Sequence, residues 1–355
     1  MSSLDNTEAV RAADPGGMYD AMARFPHQVR NAADIGKAVT VAVSRFRSLR
    51  NIVVCGMGGS AIGGDLTRTH LSDHLPYPMF ICRNYRLPAF ADRHTLVIAS
   101  SYSGATEETL AAVDQALAKQ CRIFALTTGG PLRELCERHH LPMAILPGGL
   151  QPRAALGYSL APLMIFLNKI GLSPWSDDDF RSLADFLDKR VRSLAVETPS
   201  DDNPAKQMAL QLYGRIPIIY SGPELTDAVA TRIKGQICEN AKMPAFANQF
   251  PEFNHNELVG WKVIGAFRDF LRVLILRDRD DNPRVAARMD IVKGIIAGEN
   301  VKVLEIYSEG ENRLKRMMSL VQFGDFMSFY LAMLNKVDPT PVTVIDFLKR
   351  ELAKS

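Results

Sequence analysis

Two glycine- and hydroxyl-rich stretches are the parts of this chain best suited to chemistry. The first, GMGGSAIGGD (Gly56 to Asp65), follows a short apolar run and opens a helix-like stretch. Glycines at that place, Gly59 among them, let backbone approach a ligand closely, and the start of a helix favours an anion. In the second, SSYSGATEET (Ser100 to Thr109), the hydroxyls of Ser101, Ser103 and Thr106 surround Gly104. Hydroxyls and amide groups at a helix start form a nest for phosphate. A serine N-cap completed by Glu107 or Glu108 is the simpler reading, but a cap needs one hydroxyl, not three. Two such turns in one sheet point to a small phosphorylated ligand between them, with Ser60 contributed by the first. A dinucleotide would normally use only the first turn. There Gly56, Gly58 and Ala61 nearly meet the dinucleotide spacing, but no acid ends the next strand, where MFICRN offers arginine.

The third feature is QFPEFNHNELVGW, residues 249 to 261. It is too polar for a core strand and too apolar for a loose loop, and it carries a lone histidine, His255. A lone histidine is more often structural than catalytic. As a metal site the sequence is poor. His70 and His74 are spaced i, i+4 without an acid to complete a zinc motif, and His255 with Glu257 makes two ligands at most.

The elements that must position these turns follow from apolar patterning. NIVVCGMGGS, TLVIASSYSGATEETLAAV and RIFALTTGGPLRELCER each run from an apolar strand through a turn into a helix, and PMAILPGG adds a strand. Such alternation means a parallel sheet covered by helices. Residues 18 to 48 show helical spacing broken before Pro26, and residues 154 to 170 read as a long apolar helix. VETPSDDNP, without apolar periodicity, reads as a linker. Beyond it the plan returns: RIPIIYSGPEL, a helix over 225 to 241, FLRVLILRD, NVKVLEIYSEG, a helix from about Glu311 to Leu334, and a last amphipathic helix in VDPTPVTVIDFLKREL. The expectation is an α/β chain with a flexible tail over 1–17, one subdomain over 18–196 and a second of similar plan over 197–355.

A chain of 355 residues is long enough for two domains. With 42 basic against 39 acidic residues and no basic block, nucleic acid is not expected as a partner. Five scattered cysteines without a C-x-x-C pair read as reduced thiols and a cytoplasmic home. The first residues lack the charge and apolar core of a secretory signal. The longest apolar run, LAPLMIFL, falls short of the ~20 residues of a membrane span.

Taken together, GMGGSAIGGD, SYSGATEET, GGLQPRAALGYSL, ENAKMPAFANQFPEFNHNELVGW and VDPTPVTVIDFLK resemble the bifunctional phosphoglucose/phosphomannose isomerases of the sugar isomerase (SIS) family. The likeness runs from about Met18, in MYDAMARFPHQV, to Lys354. The two turns mark the wider SIS class; the NHNE stretch and the QPR loop are more specific. The resemblance implies two SIS-type, flavodoxin-like subdomains, a homodimer with shared active sites, and interconversion of glucose 6-phosphate, mannose 6-phosphate and fructose 6-phosphate without metal or nucleotide. It also implies a place in carbohydrate metabolism, in glycolysis and gluconeogenesis.

Such an enzyme opens the sugar ring, moves a proton between C2 and C1 through a cis-enediol, and holds the phosphate. A carboxylate suits the proton transfer, an imidazole the ring opening, and a cation the enediolate. By resemblance Glu239, in ICENAKMP, is the base. His255 is the ring-opening acid/base, held rigidly in a semi-polar pocket by its aromatic and asparagine neighbours and reaching the partner's site. Arg153, in QPRAAL, stabilises the enediolate, and Lys349, in DFLKREL, assists at the ring oxygen or O1. Gly59, Ser60, Ser101, Ser103 and Thr106 bind the phosphosugar. A threonine beside the catalytic lysine leaves room for the enediol to rotate; Thr340 and Thr343 both qualify, and Thr340 is taken as a substrate contact. Each charged residue also has a plain reading: Glu239 as a solvated helix residue, Arg153 as a surface arginine, Lys349 as a complement to its helix dipole. Two other functions remain open: a non-catalytic phosphosugar-binding regulator, which has no need of Glu239, His255 and Arg153 together, and an aminosugar-phosphate isomerase.

Overall fold

Runs of three to seven residues, valine- and isoleucine-rich and buried on both faces in the central strands, form the nine strands of the computed structural model, which describes residues 2–352 and 354. The chain divides into two compact units. One holds residues 24–188 with 313–315; the other holds the chain up to Ala23, residues 189–312 and the chain from Arg316 onward. Each is an α/β unit built on a parallel sheet covered by helices.

In the first unit β1 (Asn51–Cys55), β2 (Met79–Cys82), β3 (Thr95–Ser100), β4 (Arg122–Thr127) and β5 (Met143–Ile145) form one sheet in the order β2-β1-β3-β4-β5. Every neighbouring pair is parallel. The register sets Cys55 beside Ala99, so β1 and β3 end within one residue of each other and their following turns open side by side. The order reverses between these strands, which is where open α/β sheets offer a ligand crevice. The helix Leu156–Lys169 is buried along nearly its whole length, and its Phe166 stacks on Phe124 of β4 at 3.8 Å.

In the second unit β6 (Ile216–Ser221), β7 (Phe246–Gln249), β8 (Leu271–Arg277) and β9 (Val303–Tyr307) repeat the plan, in the order β7-β6-β8-β9 and again all parallel. Strand β7 and the helices Pro204–Leu212 and Pro283–Gly298 lie outside the sequence expectation. Strand β7 is half polar and its burial does not alternate. Each of the two helices begins with an asparagine cap and a proline, a start signal present in the sequence.

The helix Arg313–Leu334 is long and apolar enough to be weighed as a membrane span. By those two measures it qualifies, yet its apolar window is wholly buried within the protein. It is a core helix: Phe326, Phe329 and Tyr330 are all inaccessible to solvent.

The boundaries expected at 17 and 196 are corrected. Residues 3–5 and 7–12 are helical, and Leu4 and Val10 are buried. The carboxylate of Asp5 accepts from Ser200 N at 2.8 Å and Ser200 Oγ at 2.7 Å. Lys206, fully buried, donates to Val196 O at 2.9 Å and Thr198 O at 2.8 Å and approaches Asp5 at 3.4 Å. The segment read as a linker is therefore a pinned loop, polar because its partners are a buried ammonium and a carboxylate. The division between units falls instead at Asp188 and Lys189, inside the helix Asp177–Leu194.

Replacing Lys206 by Met keeps the stem's volume and removes these bonds, leaving the carbonyls of Val196 and Thr198 without their donor. Denaturant unfolding should then show a loss of about 2–4 kcal/mol.

Candidate active site

The turns after β1 and β3 meet in the first unit. Ser100 Oγ donates to Ser60 O at 3.0 Å, and Tyr102 N donates to Ser60 Oγ at 3.1 Å, so the two turns are cross-linked through Ser60. Ser101 Oγ donates to Thr106 Oγ1 at 2.8 Å and accepts from Thr106 N at 3.4 Å. Ser60 and Ser101 are buried, Thr106 is half-buried, and Ser103 is exposed, with its Oγ accepting from Ala105 N at 3.3 Å. Neither the helix Gly58–His70 nor the helix Glu107–Ala118 is capped by the side chain of its N-cap residue, and the first turn of Gly58–His70 carries no acid. That end suits an anion by its exposed amide dipoles. The cap reading of the second turn therefore gives way to a hydroxyl cluster bridging two turns.

Arg153 is not a surface arginine. It lies in a 3-10 turn, Pro152–Ala154, and is 3% exposed. A Cβ on Gly59 would sit 2.6 Å from Pro152 C and O and 2.7 Å from Arg153 N, so only glycine lets the first turn close against the arginine loop. Gln28 fixes the far side of that loop, donating to Ala154 O at 2.8 Å and accepting from Gly157 N at 2.6 Å. The hydroxyl of Tyr102 donates to Pro147 O at 2.7 Å and accepts from Leu150 N at 3.3 Å, tethering the Gly148–Gly149 loop to the second turn. Gln28 and Tyr102 were not expected from sequence. Tyr102 stands inside the SYSG turn, and that position was the available signal.

The topologically equivalent crevice of the second unit has the opposite chemistry. After β8 come Asp278, Asp280 and Asp281 in place of serines. Asp278 accepts from Ser308 Oγ at 2.5 Å and Arg316 Nε at 2.9 Å. Asp281 Oδ2 accepts from Asp278 N at 2.8 Å, while its Oδ1 lies 2.8 Å from where a Cβ on Gly222 would be. Burial, with the neighbouring Asp278 charge adding to it, pushes the Asp281 carboxyl up to about 6. Carboxylates fill this crevice, so the hydroxyl cluster is a property of the first unit.

Glu239, Thr340 and His255 belong to the second unit. Glu239 is half-buried in the last turn of the helix Asp227–Asn240. Three residues on, Lys242 Nζ donates to Glu239 O at 2.5 Å, Pro339 O at 3.1 Å and Pro341 O at 2.5 Å. The carboxylate-bearing helix end is thus tied to both flanks of Thr340. Asn335 adds a bond to Ala241 O at 2.9 Å. Thr340 is half-buried there, whereas Thr343 is exposed at the start of the helix Thr343–Leu352. Lys349 lies on that helix, no residue of which is buried.

His255 departs from expectation. It ends the 3-10 helix Glu252–His255 and is exposed, not enclosed in a semi-polar pocket. Its aromatic neighbours pack beneath it. Phe253 stacks on Tyr220 at 4.0 Å, Phe250 meets Phe253 at 4.6 Å, and Trp261 Nε1 donates to Tyr220 OH at 3.0 Å. Glu257 accepts from Tyr220 OH at 2.5 Å and Asn248 Nδ2 at 2.6 Å, which explains that acid as a brace for the loop. His70 is a core residue, buried with its ring 4.7 Å from Trp175. Among the described residues no group of three or more His, Cys, Asp and Glu is placed to hold a metal ion.

The profile of the bacterial phospho-glucose isomerase C-terminal SIS domain matches residues 201–352. The chain is 44% identical over 337 residues to the bifunctional phosphoglucose/phosphomannose isomerase of Caldicellulosiruptor bescii, covering 95% of this chain and 99% of the relative. The chain belongs to the bifunctional phosphoglucose/phosphomannose isomerase family. A second member, from Aquifex aeolicus, is 36% identical, with 86% of this chain and 91% of the relative covered. The fold is also that of tagatose-6-phosphate ketose/aldose isomerase from Escherichia coli, with a TM-score of 0.69 at 16% identity, covering 89% of this chain and 92% of the other.

The acid-filled crevice gives a pH signature. A carboxyl whose folded value, about 6, exceeds the ~3.9 of an unfolded aspartate binds more protons when folded. Its stabilising contribution, present at low pH, is lost as pH rises through about 6. Asp281→Asn should therefore stabilise the protein more at pH 8 than at pH 5, by about 1–2 kcal/mol once screening is allowed for, as read by thermal unfolding at both pH values.

Proposed function

We propose that this chain is an aldose–ketose isomerase that interconverts glucose 6-phosphate and mannose 6-phosphate with fructose 6-phosphate. The observation that carries the reading is the meeting of Ser60, Ser101 and Thr106 in one crevice beside the buried Arg153, in a chain 44% identical to a bifunctional isomerase over nearly its full length. The phosphate sits in the hydroxyl nest, with Gly59 and Ser103 at its edge. His255 donates to the ring oxygen as the sugar opens, and Lys349 assists at the ring oxygen or O1. Glu239 takes the C2 proton and returns it to C1. The enediolate between these steps gains charge on oxygen, which the guanidinium of Arg153 balances from a fixed place. Thr340, beside the base, leaves the room at C2 that lets either face be reprotonated. The chain needs no metal and no nucleotide for these steps.

The active form in this reading is a homodimer in which His255 completes the partner's site. Two features support it. His255 is exposed in its own chain, and the segment after it presents Val259, Val263 and Phe267 at 75%, 86% and 62% exposure. The helix Thr343–Leu352 likewise exposes Val344, Phe347 and Leu348. Apolar surface of this kind marks a face that another protein covers. The enzyme belongs to the cytoplasm and to glycolysis and gluconeogenesis.

A coupled assay on EDTA-treated protein should show turnover of both aldose phosphates and none of glucosamine 6-phosphate, with hydrogen exchange at C2 in heavy water. Glu239→Gln should lower kcat by at least about 10³-fold without loss of folding. Unchanged turnover would leave a phosphosugar-binding regulator as the better reading. Shared sites make a further prediction. Mixing and re-equilibrating the inactive Glu239→Gln and His255→Ala variants should restore about a quarter of wild-type activity, because half the dimers are mixed and each has one intact site. No recovery would place both residues in one subunit's own site.

A further inference from the structure

We propose that the N-terminal turn Asp14–Gly17 is part of the apparatus that discriminates glucose 6-phosphate from mannose 6-phosphate, with Gly16 setting the position of Thr340. This rests on the isomerase reading above and assigns a role to a segment that reading does not use.

The contact is tight. A methyl group at Gly16 would lie 2.3 Å from Thr340 Oγ1, 2.4 Å from its Cβ and 2.6 Å from its Cγ2. The threonine side chain occupies the space where any other residue at position 16 would carry its Cβ. Threonine is short and β-branched, so it has few rotamers through which to evade an added methyl.

Both sides of the contact are held. Asp14 is buried, and its carboxylate accepts from Met18 N at 2.9 Å and Tyr19 N at 2.7 Å, capping the helix Met18–Ala23. Gly17 N donates to Asp14 O at 3.1 Å, closing the turn, and Tyr19 anchors the helix against Phe329 at 5.6 Å and Phe326 at 6.2 Å. On the other side, Thr340 N donates to Asp338 Oδ1 at 2.9 Å, and Lys242 holds the carbonyls of Pro339 and Pro341 to the end of the helix that carries Glu239. Thr340 is therefore wedged between an immobilised turn and the helix end of the base. The N-terminal turn acts as the back wall and Lys242 as the clamp.

The two aldose substrates differ only in configuration at C2, the carbon that the base serves. Relieving contacts of 2.3–2.6 Å would move Thr340 by about 1 Å, which alters the room for one C2 configuration more than for the other. Displacements of about 1 Å at a reacting centre can cost 10²-fold in rate. Gly16 and Lys242 are positioning residues in this account; neither touches the sugar.

The test compares kcat and KM for both aldose phosphates in wild-type protein, Gly16→Ala and Lys242→Met, with thermal unfolding of each. The expected result is a change of about 5-fold or more in the ratio of kcat/KM for mannose 6-phosphate to that for glucose 6-phosphate, in both variants. The change should be carried by kcat, with midpoints within a few degrees of wild type. Equal loss of both activities, or an unchanged ratio in folded Gly16→Ala, overturns the proposal while leaving the isomerase reading intact. Should Gly16→Ala fail to fold, Lys242→Met decides by the same ratio. A wild-type protein that turns over neither aldose phosphate removes the isomerase reading and this inference together.

Discussion

The order reversal between β1 and β3 is the constraint on which the rest of the first unit depends. In a parallel sheet all strands end on the same side, and where the order turns back two neighbouring strands send their chains to opposite faces. The turns after them part and leave a crevice. The register that sets Cys55 beside Ala99 makes the two strands end within one residue of each other. Only then can Ser60 accept from Tyr102 N across the two turns. The glycines serve this geometry: at Gly59 a side chain would collide with the loop that carries Arg153.

The second unit shows that topology alone does not make an anion site. Its sheet has the same order up to the missing fifth strand, and a turn again follows β8. There Asp278 and Asp281 stand where the first unit has hydroxyls. They are satisfied by Ser308, Arg316 and backbone rather than by a ligand. The backbone plan was used twice. One copy lines its crevice with hydroxyls, and the other fills it with carboxylates that are bonded internally.

Two lysines do similar structural work at irregular backbone. Lys206 gathers the carbonyls of Val196 and Thr198, and Lys242 gathers those of Glu239, Pro339 and Pro341. Carbonyls at helix ends and in proline turns lack ladder partners, and one ammonium group with three donors can satisfy several of them. The N-terminal helices and the Thr340 turn are thereby held in the second unit, although little in their local sequence demands it.

Much of this was legible without coordinates. Apolar runs ending in glycine or serine, each followed by a helix-like stretch, determine a parallel α/β chain, because period and turn chemistry are local properties. The three hydroxyls of SSYSGATEET set that turn apart from a one-hydroxyl cap for the same reason. What the sequence could not determine is pairing at a distance. Which carbonyls Lys242 collects, why residue 16 must lack a side chain, whether VETPSDDNP is a linker or a pinned loop, and whether the aromatics around His255 enclose it or pack below it all depend on residues tens to hundreds of positions apart. Those contacts exist only once the core has formed. Local patterns specify elements, and long-range packing decides which of their polar groups face a ligand and which face one another.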